Sequence, residues 1–508
     1  MELSGQNVTL DSVVRVARGQ EKLTLSAAAR ESMLQSRAYI ESELSKGAVI
    51  YGVNTGFGAL SSVRISDSDI EKLQKNLIRS HASGVGTPFS KVESRAILYL
   101  RANALARGHS GIRPEVVDKI LEFLNLDIVP VIPSQGSVGA SGDLAPLSHL
   151  ALALIGEGEV WDGDTPVATE AYLKNKKVKP LELKCKEGLS LINGCQVMTA
   201  VGMLAAHHTR HLCLLADVAG AMSLEALRGG RDPFDPLISA TRAHPGEKKT
   251  ASNLLKILGE KSEISESHAD CDRVQDAYSL RCMPAVHGAV KDALKSAIET
   301  LTIEANSSTD NPLVFSSAGK ILSCGNFHGE PVAFQLDFLA IALSALGNIS
   351  QCRVSRLINP AFSALPAFLA PNGGLNSGLM VVEVAAASLA SENKIYAHPA
   401  SVDSIPTSVD KEDHVSMGTI AARKLKLIVE NVSHIMAMEI LSSMQALSLL
   451  KPLKPAAGVM AAYDLIVADV PLAEVDRVFS QDIKKIKSHI DSGKLLTTVL
   501  KSVGELEW

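Results

Sequence analysis

The run from Gly188 to about Leu227 is apolar almost all the way round. A helix over that stretch has no polar face to offer water, so other helices must surround it. Long helical patterns also cover 275–305, 329–357, 376–396, 415–450 and 473–502, interrupted by Pro312, Pro360, the Pro399–Pro406 segment and Pro452 with Pro455. Hydrophobic residues make up 46% of the chain and aromatics only 4%, a mix that suits packed helices better than sandwiches. The expected fold is mainly α: a long-helix bundle with a smaller mixed N-terminal portion. At 508 residues, size alone allows more than one domain, but no repeat, low-complexity tract or linker divides the chain. It reads as a single unit, with a mixed α/β portion over 1–110 and a helical-bundle domain over 111–508.

Within the N-terminal portion, residues 1–25 predict a strand pair and a short helix. Ser26 predicts an N-cap for a helix that reaches Lys46 and stops at Gly47. Ala48 to Gly58 predicts a strand running into a glycine-rich loop, a rigidly supported place for a functional side chain. Helices are expected over 67–80, 90–108 and 113–126, a surface hairpin over 157–167, and an exposed loop over 260–273.

The chemistry points to Gly136-Ser-Val-Gly-Ala-Ser-Gly-Asp-Leu-Ala-Pro-Leu-Ser-His149, just where an apolar helix over 143–155 begins. So few side chains allow close backbone approach and unusual dihedrals. On residue types alone, a helix-capping turn or an anion site at a helix start would serve equally well. The fourteen residues together resemble the signature of the aromatic amino-acid ammonia-lyases. Seven further segments match that family in order: Tyr51–Gly58, Glu187–Gly194, Gln275–Arg281, Glu304–Pro312, Gly325–Gly329, Ser391–Lys394 and Glu412–Met417. The match is weakest over the first 45 residues, 158–186, 240–270 and the last 50.

The resemblance implies that Ala140-Ser141-Gly142 cyclises autocatalytically to a methylidene-imidazolone. The Gly142 nitrogen attacks the Ala140 carbonyl, whose oxygen leaves as one water, and Ser141 loses its hydroxyl as a second. No metal or diffusible cofactor is expected. It further implies that Tyr51 is the base for the β-proton, although a tyrosine with its ordinary pKa near ~10 needs help from its surroundings. Arg281 holds the substrate carboxylate, as a guanidinium can do bidentately. Tyr278 and Gln275 share its helix face. Asn193 serves the imidazolone carbonyl or the substrate carboxylate, and Phe327 walls the pocket.

Substrate choice turns on His81 and Glu412. Family members acting on phenylalanine tend to carry an apolar residue and an amide there, and those acting on histidine carry His and Glu. An imidazole has two ring nitrogens that such a pair can engage, whereas a phenyl ring would strand them at about 1–3 kcal/mol per group. Histidine at the first position also occurs in tyrosine-specific relatives, so Glu412 discriminates. The resemblance therefore implies L-histidine as the substrate, with urocanate and ammonia as products, and a homotetramer whose sites are each assembled from three subunits. Tyrosine or phenylalanine ammonia-lyase or 2,3-aminomutase activity is the related alternative. An inactive helical scaffold and a serine hydrolase using Ser141 are the alternatives of another class.

The formal net charge of −5 gives no electrostatic case for nucleic acid or an anionic membrane. The apolar window Pro331–Ser350 contains Asp337 and reads as a buried helix. Seven cysteines without a C-x-x-C pair read as reduced thiols. With no targeting segment at the N-terminus, the expected location is cytoplasmic. His207, His208 and His211 have helical metal-ligand spacing, but the sequence places no acidic or cysteine ligand at matching positions, so no metal is expected there.

Overall fold

A computed structural model describes residues 1–508, apart from the side chains of Ala59 and Asp67. The protein is mainly α-helical, as expected, and its strands are confined to four two-stranded pairings among the described residues. Two compact units are built from discontinuous segments. The first comprises 1–207, 297–337 and 399–423, and the second 208–296, 338–398 and 424–508.

In the first unit, Glu2–Leu3 pairs with Thr24–Leu25, and a short helix covers Leu10–Ala17. The helix Ala27–Ser45 starts where Ser26 predicts, with the Ser26 hydroxyl accepting the Ala29 N–H at 3.1 Å. Ser90 and Glu93 form a reciprocal capping box on Lys91–Ala106. Helices also cover Ile70–His81, Pro114–Asn125 and Leu144–Leu154, and the hairpin pairs Glu159–Asp162 with Thr165–Ala168.

The strand expected after Ala48 is absent. Asn54 replaces a strand partner: its Oδ1 accepts the Ile50 N–H at 2.8 Å, and its Nδ2 donates to the Ala48 carbonyl at 2.9 Å. The chain therefore turns at Tyr51 instead of extending. The apolar run from Gly188 also departs from expectation. It forms two helices, Glu187–Ile192 and Gln196–Ala226, separated at Asn193-Gly194-Cys195. At the break, Arg101 donates to the carbonyls of Ser190 and Asn193, and Asp143 donates its N–H to the Gly194 carbonyl. These partners satisfy helix-end groups that would otherwise be orphaned.

In the second unit, a fully buried Arg353–Glu439 pair (Nη2–Oε2 3.0 Å) takes further hydrogen bonds from the Ser223 and Ser350 hydroxyls. Beside His287, Lys291 meets Asp217 at 2.7 Å, also buried. Paired charges inside apolar helices fix which faces can meet, because mispairing would strand a charge. The expected 275–305 helix begins only at Tyr278, so Gln275 precedes it and does not share a helix face with Arg281, and it is interrupted at Cys282, giving Tyr278–Arg281 and Met283–Ala305. The 473–502 helix breaks at Gly493, whose φ of +72° a glycine adopts without strain. Residues 260–273 include a short helix, Glu263–Glu266, anchored by buried Ile264. The helix Glu330–Ile358 is apolar and long enough to cross a membrane, yet 61% of its apolar window is buried within the protein, as in a core helix.

Candidate active site

The Gly136–Gly142 loop folds through three glycines at positive φ: Gly136 (+123°), Gly139 (+69°) and Gly142 (+74°). At Gly142 a Cβ would run into the Gly194 backbone. Glycine is thus required there both for its dihedral and for space. Ala140 is buried against Val415 and Met417, and the Met417 N–H donates to the Val138 carbonyl at 2.8 Å.

Asp143 anchors this loop. Its carboxylate is fully buried and accepts the Val197 and Met198 N–H groups, each at 3.0 Å, the Ser137 hydroxyl at 2.8 Å and the Thr419 hydroxyl. It therefore occupies the N-terminus of Gln196–Ala226, where the helix dipole favours negative charge. Burial raises its carboxyl above the ordinary range, and the four hydrogen bonds pull in the opposite direction.

Ser141 opens onto a cavity of about 930 Å³, whose walls include Tyr51, His81, Asn193, Phe327 and Glu412. The Ser141 hydroxyl donates to Glu412 Oε1, and Glu412 Oε2 accepts the Thr407 hydroxyl at 2.6 Å. Asn193 Nδ2 donates to the Ser141 carbonyl at 2.8 Å, while Asn193 Oδ1 is buried with no hydrogen-bond partner. The Tyr51 hydroxyl accepts the Gly58 N–H at 3.4 Å.

His81 closes the helix Ile70–His81, with Nδ1 at 2.9 Å from the Leu77 carbonyl. That contact assigns the proton to Nδ1 and leaves Nε2 as an acceptor. Burial lowers the His81 pKa, while the Leu77 carbonyl and the Glu412 charge work against the shift. Lys411 also lines the wall, next to Glu412.

Gln275, Tyr278 and Arg281 belong to the second unit, where they line a pocket of their own with Cys352 and Arg356. Arg281 stacks 4.6 Å from the Tyr278 ring centroid, as three-residue helical spacing allows. Tyr278 is 71% exposed.

Asp143 and Arg101 are site residues to which sequence reasoning assigned no role. The available signal was a charge inside an otherwise apolar motif in each case. Glu304 is another. The residue is half-buried, with its carboxylate Oε1 buried beside Cys195, whose thiol donates to the Phe327 carbonyl at 3.0 Å, and burial pushes the Glu304 carboxyl up to about 7. With its folded-state pKa above the ordinary 4.5, its contribution to stability is complete below pH 4.5 and is lost as pH climbs to about 7. The shift corresponds to on the order of 3 kcal/mol. Glu304→Gln is therefore expected to gain on the parent protein by that order between pH 4.5 and 8. Thermal unfolding across pH checks this, and parallel pH profiles would contradict it.

Residues 8–468 match the family described as aromatic amino acid lyase. The chain belongs to that family. It is 50% identical to the histidine ammonia-lyase of Sorangium cellulosum over 99% of this chain and 100% of that one. Its fold matches the crystal structure of histidine ammonia-lyase from Trypanosoma cruzi with a TM-score of 0.92 at 43% identity, covering 99% of this chain and 96% of that one. It also matches tyrosine aminomutase from Streptomyces globisporus, with a TM-score of 0.95 at 35% identity and complete coverage of both chains. The protein is a carbon–nitrogen lyase of this family.

Proposed function

We propose that this lyase eliminates ammonia from L-histidine to give trans-urocanate, the first step of histidine breakdown. The observation that carries the reading is the presence of Glu412 and His81 on the wall of the Ser141 cavity. Two hydrogen-bonding groups suit the two nitrogens of an imidazole, and a phenyl or phenol ring would leave at least one of them unpaired. Identities of 50% and 43% to histidine ammonia-lyases, against 35% to the tyrosine aminomutase, support the same choice.

The residues fit a methylidene-imidazolone made from Ala140-Ser141-Gly142. Gly142 has the bent backbone and lacks the Cβ that would block close approach, and Asn193 already holds the Ser141 carbonyl. Once formed, the group supplies an electrophile for amine or ring capture. Ser141's hydroxyl is the group lost in that conversion, which frees Glu412 Oε1 to accept a ring N–H. His81, kept neutral by burial, presents Nε2 to the same ring. Tyr51 faces the cavity as the acceptor for the β-proton, and Phe327 walls the space beside Ser141.

Arg281 is the carboxylate clamp of this proposal, with Tyr278 and Gln275 beside it. The exposure of Tyr278 and Gln275 suits a site completed by another copy in a homotetramer. Exposed Val381, Val384 and Ile395 along Met380–Tyr396 support self-association, since apolar patches of this kind mark interaction surfaces. Seven free thiols suit a reducing, cytoplasmic setting.

The test is an ultraviolet assay for urocanate with L-histidine, run beside tyrosine and phenylalanine. Urocanate from histidine alone is the expected result. A cinnamate-type product, or a β-amino acid from tyrosine, would move the assignment to the related alternatives. In the same assay Glu412→Gln is expected to lower kcat/KM for histidine about 10- to 100-fold, the cost of one buried polar group losing its match. An unchanged value would remove Glu412 from imidazole recognition.

A further inference from the structure

At the rim of the cavity, His328, Glu330 and His414 converge, all within the first unit. Glu330 Oε2 lies 3.6 Å from His414 Nε2 and 3.8 Å from His328 Nδ1, and the three ligand atoms all fall within 4.8 Å of one another. The two imidazoles are parallel within 5°, with centroids 5.7 Å apart. Glu330 Oε2 is buried and has no hydrogen-bond donor. A buried carboxylate oxygen without a donor is costly unless a cation meets it.

We propose that these three side chains form a site for a divalent transition cation of the zinc type. Two histidines and one glutamate are a donor set that Zn²⁺ accepts, with the fourth position left to water or another ligand. Bonds of ~2.0–2.1 Å in a tetrahedral site put neighbouring donor atoms about 3.4 Å apart, close to the two Glu330 separations. The two-thirds-exposed His414 side chain is free to make the remaining adjustment.

The tautomer of His328 also suits the site. Its Nε2 lies 3.2 Å from the His414 carbonyl. An N–H donated there leaves the Nδ1 lone pair facing Glu330, the arrangement by which a backbone carbonyl orients a metal-binding imidazole. The contact from the Glu330 N–H to Nδ1 is long, at 3.4 Å, and competes weakly for that lone pair. The cluster was illegible in the sequence, because His414 comes from a loop far along the chain from Glu330.

The test is Co²⁺ binding to the chelator-stripped, full-length protein, followed through the visible d–d absorption of the ion. Expected are saturation at one Co²⁺ per chain, band intensity of a four-coordinate site, and displacement by equimolar Zn²⁺. Glu330→Gln and His414→Ala are each expected to weaken binding at least ~10-fold. His434→Ala, at a surface pair with Glu430 in the second unit, is expected to leave it unchanged. No saturable band would overturn the site and leave an ion-pair triad in its place. A band that persists at full affinity in both site variants would overturn it too, by assigning the ion to thiols. Neither readout depends on turnover, so failure here is distinct from failure of the lyase reading.

Discussion

Replacing Ser141 with alanine is expected to reduce kcat at least ~10³-fold, or about 4 kcal/mol of transition-state stabilisation, while leaving the fold in place. The hydroxyl makes one side-chain hydrogen bond, to Glu412, at the edge of an open cavity. Its removal costs about 1 kcal/mol of stability at most, and the thermal midpoint should hardly move. Alanine also fits the loop, because the conformation there is set by Gly139 and Gly142 and by the anchored Asp143. The variant separates chemistry from architecture.

Mass spectrometry supplies the second readout for this variant. The parent peptide spanning 140–142 is expected to be lighter by two waters, and the variant peptide to have its full mass. An intact parent peptide whose serine reacts with a fluorophosphonate would mean a hydrolase. An intact, unreactive one would mean a scaffold. Substantial turnover by Ser141→Ala would sink the proposed role of the residue altogether.

The helical class was legible because an all-round apolar run such as 188–227 has few places to go except into a bundle. The break within that run was not. Asn193-Gly194 is a local stop signal that the apolar run around it masks, and Arg101 and Asp143, from elsewhere in the sequence, capture the carbonyls of Asn193 and Gly194 at the break. The missing strand at 48–50 has a similar cause. Its residues look strand-like, and one asparagine side chain supplies the hydrogen bonds that a partner strand would have made.

The same physics divides the site. Tyr51, His81, Asn193, Phe327 and Glu412 lie in motifs that the family resemblance makes readable, and they line one cavity together with Ser141. Gln275, Tyr278 and Arg281 are equally readable as a motif, but they form a separate pocket in the second unit. Residues that work through backbone groups or buried partners, such as Arg101, Asp143 and Glu304, leave little trace in a linear pattern, because their partners are scattered along the chain.

Asp143→Ala is the substitution expected to damage the architecture most. The side chain is fully buried, and its Oδ2 is the acceptor for two N–H groups at the start of Gln196–Ala226. Those donors are fixed by the helix and cannot turn to other partners. The Ser137 and Thr419 hydroxyls on Oδ1 can rotate. Leaving two buried N–H groups unsatisfied costs on the order of 4 kcal/mol at ~1–3 kcal/mol each, before the favourable term between carboxylate and helix dipole is counted. Asp143→Asn keeps one carbonyl oxygen for the N–H pair and presents its amide to hydroxyls able to accept, so its cost is expected to be less than half as large. The consequence should reach Ser141, because the loop that carries it is tied to the helix through this carboxylate. Asp143→Ala is therefore expected to lower both the thermal midpoint and, at temperatures where it remains folded, kcat; amide exchange should rise first at Val197 and Met198. If the alanine variant melts with the parent and protects those two amides equally, Asp143 does not anchor the loop, and the geometry of Ala140-Ser141-Gly142 must be held by Gly194 and Met417 alone.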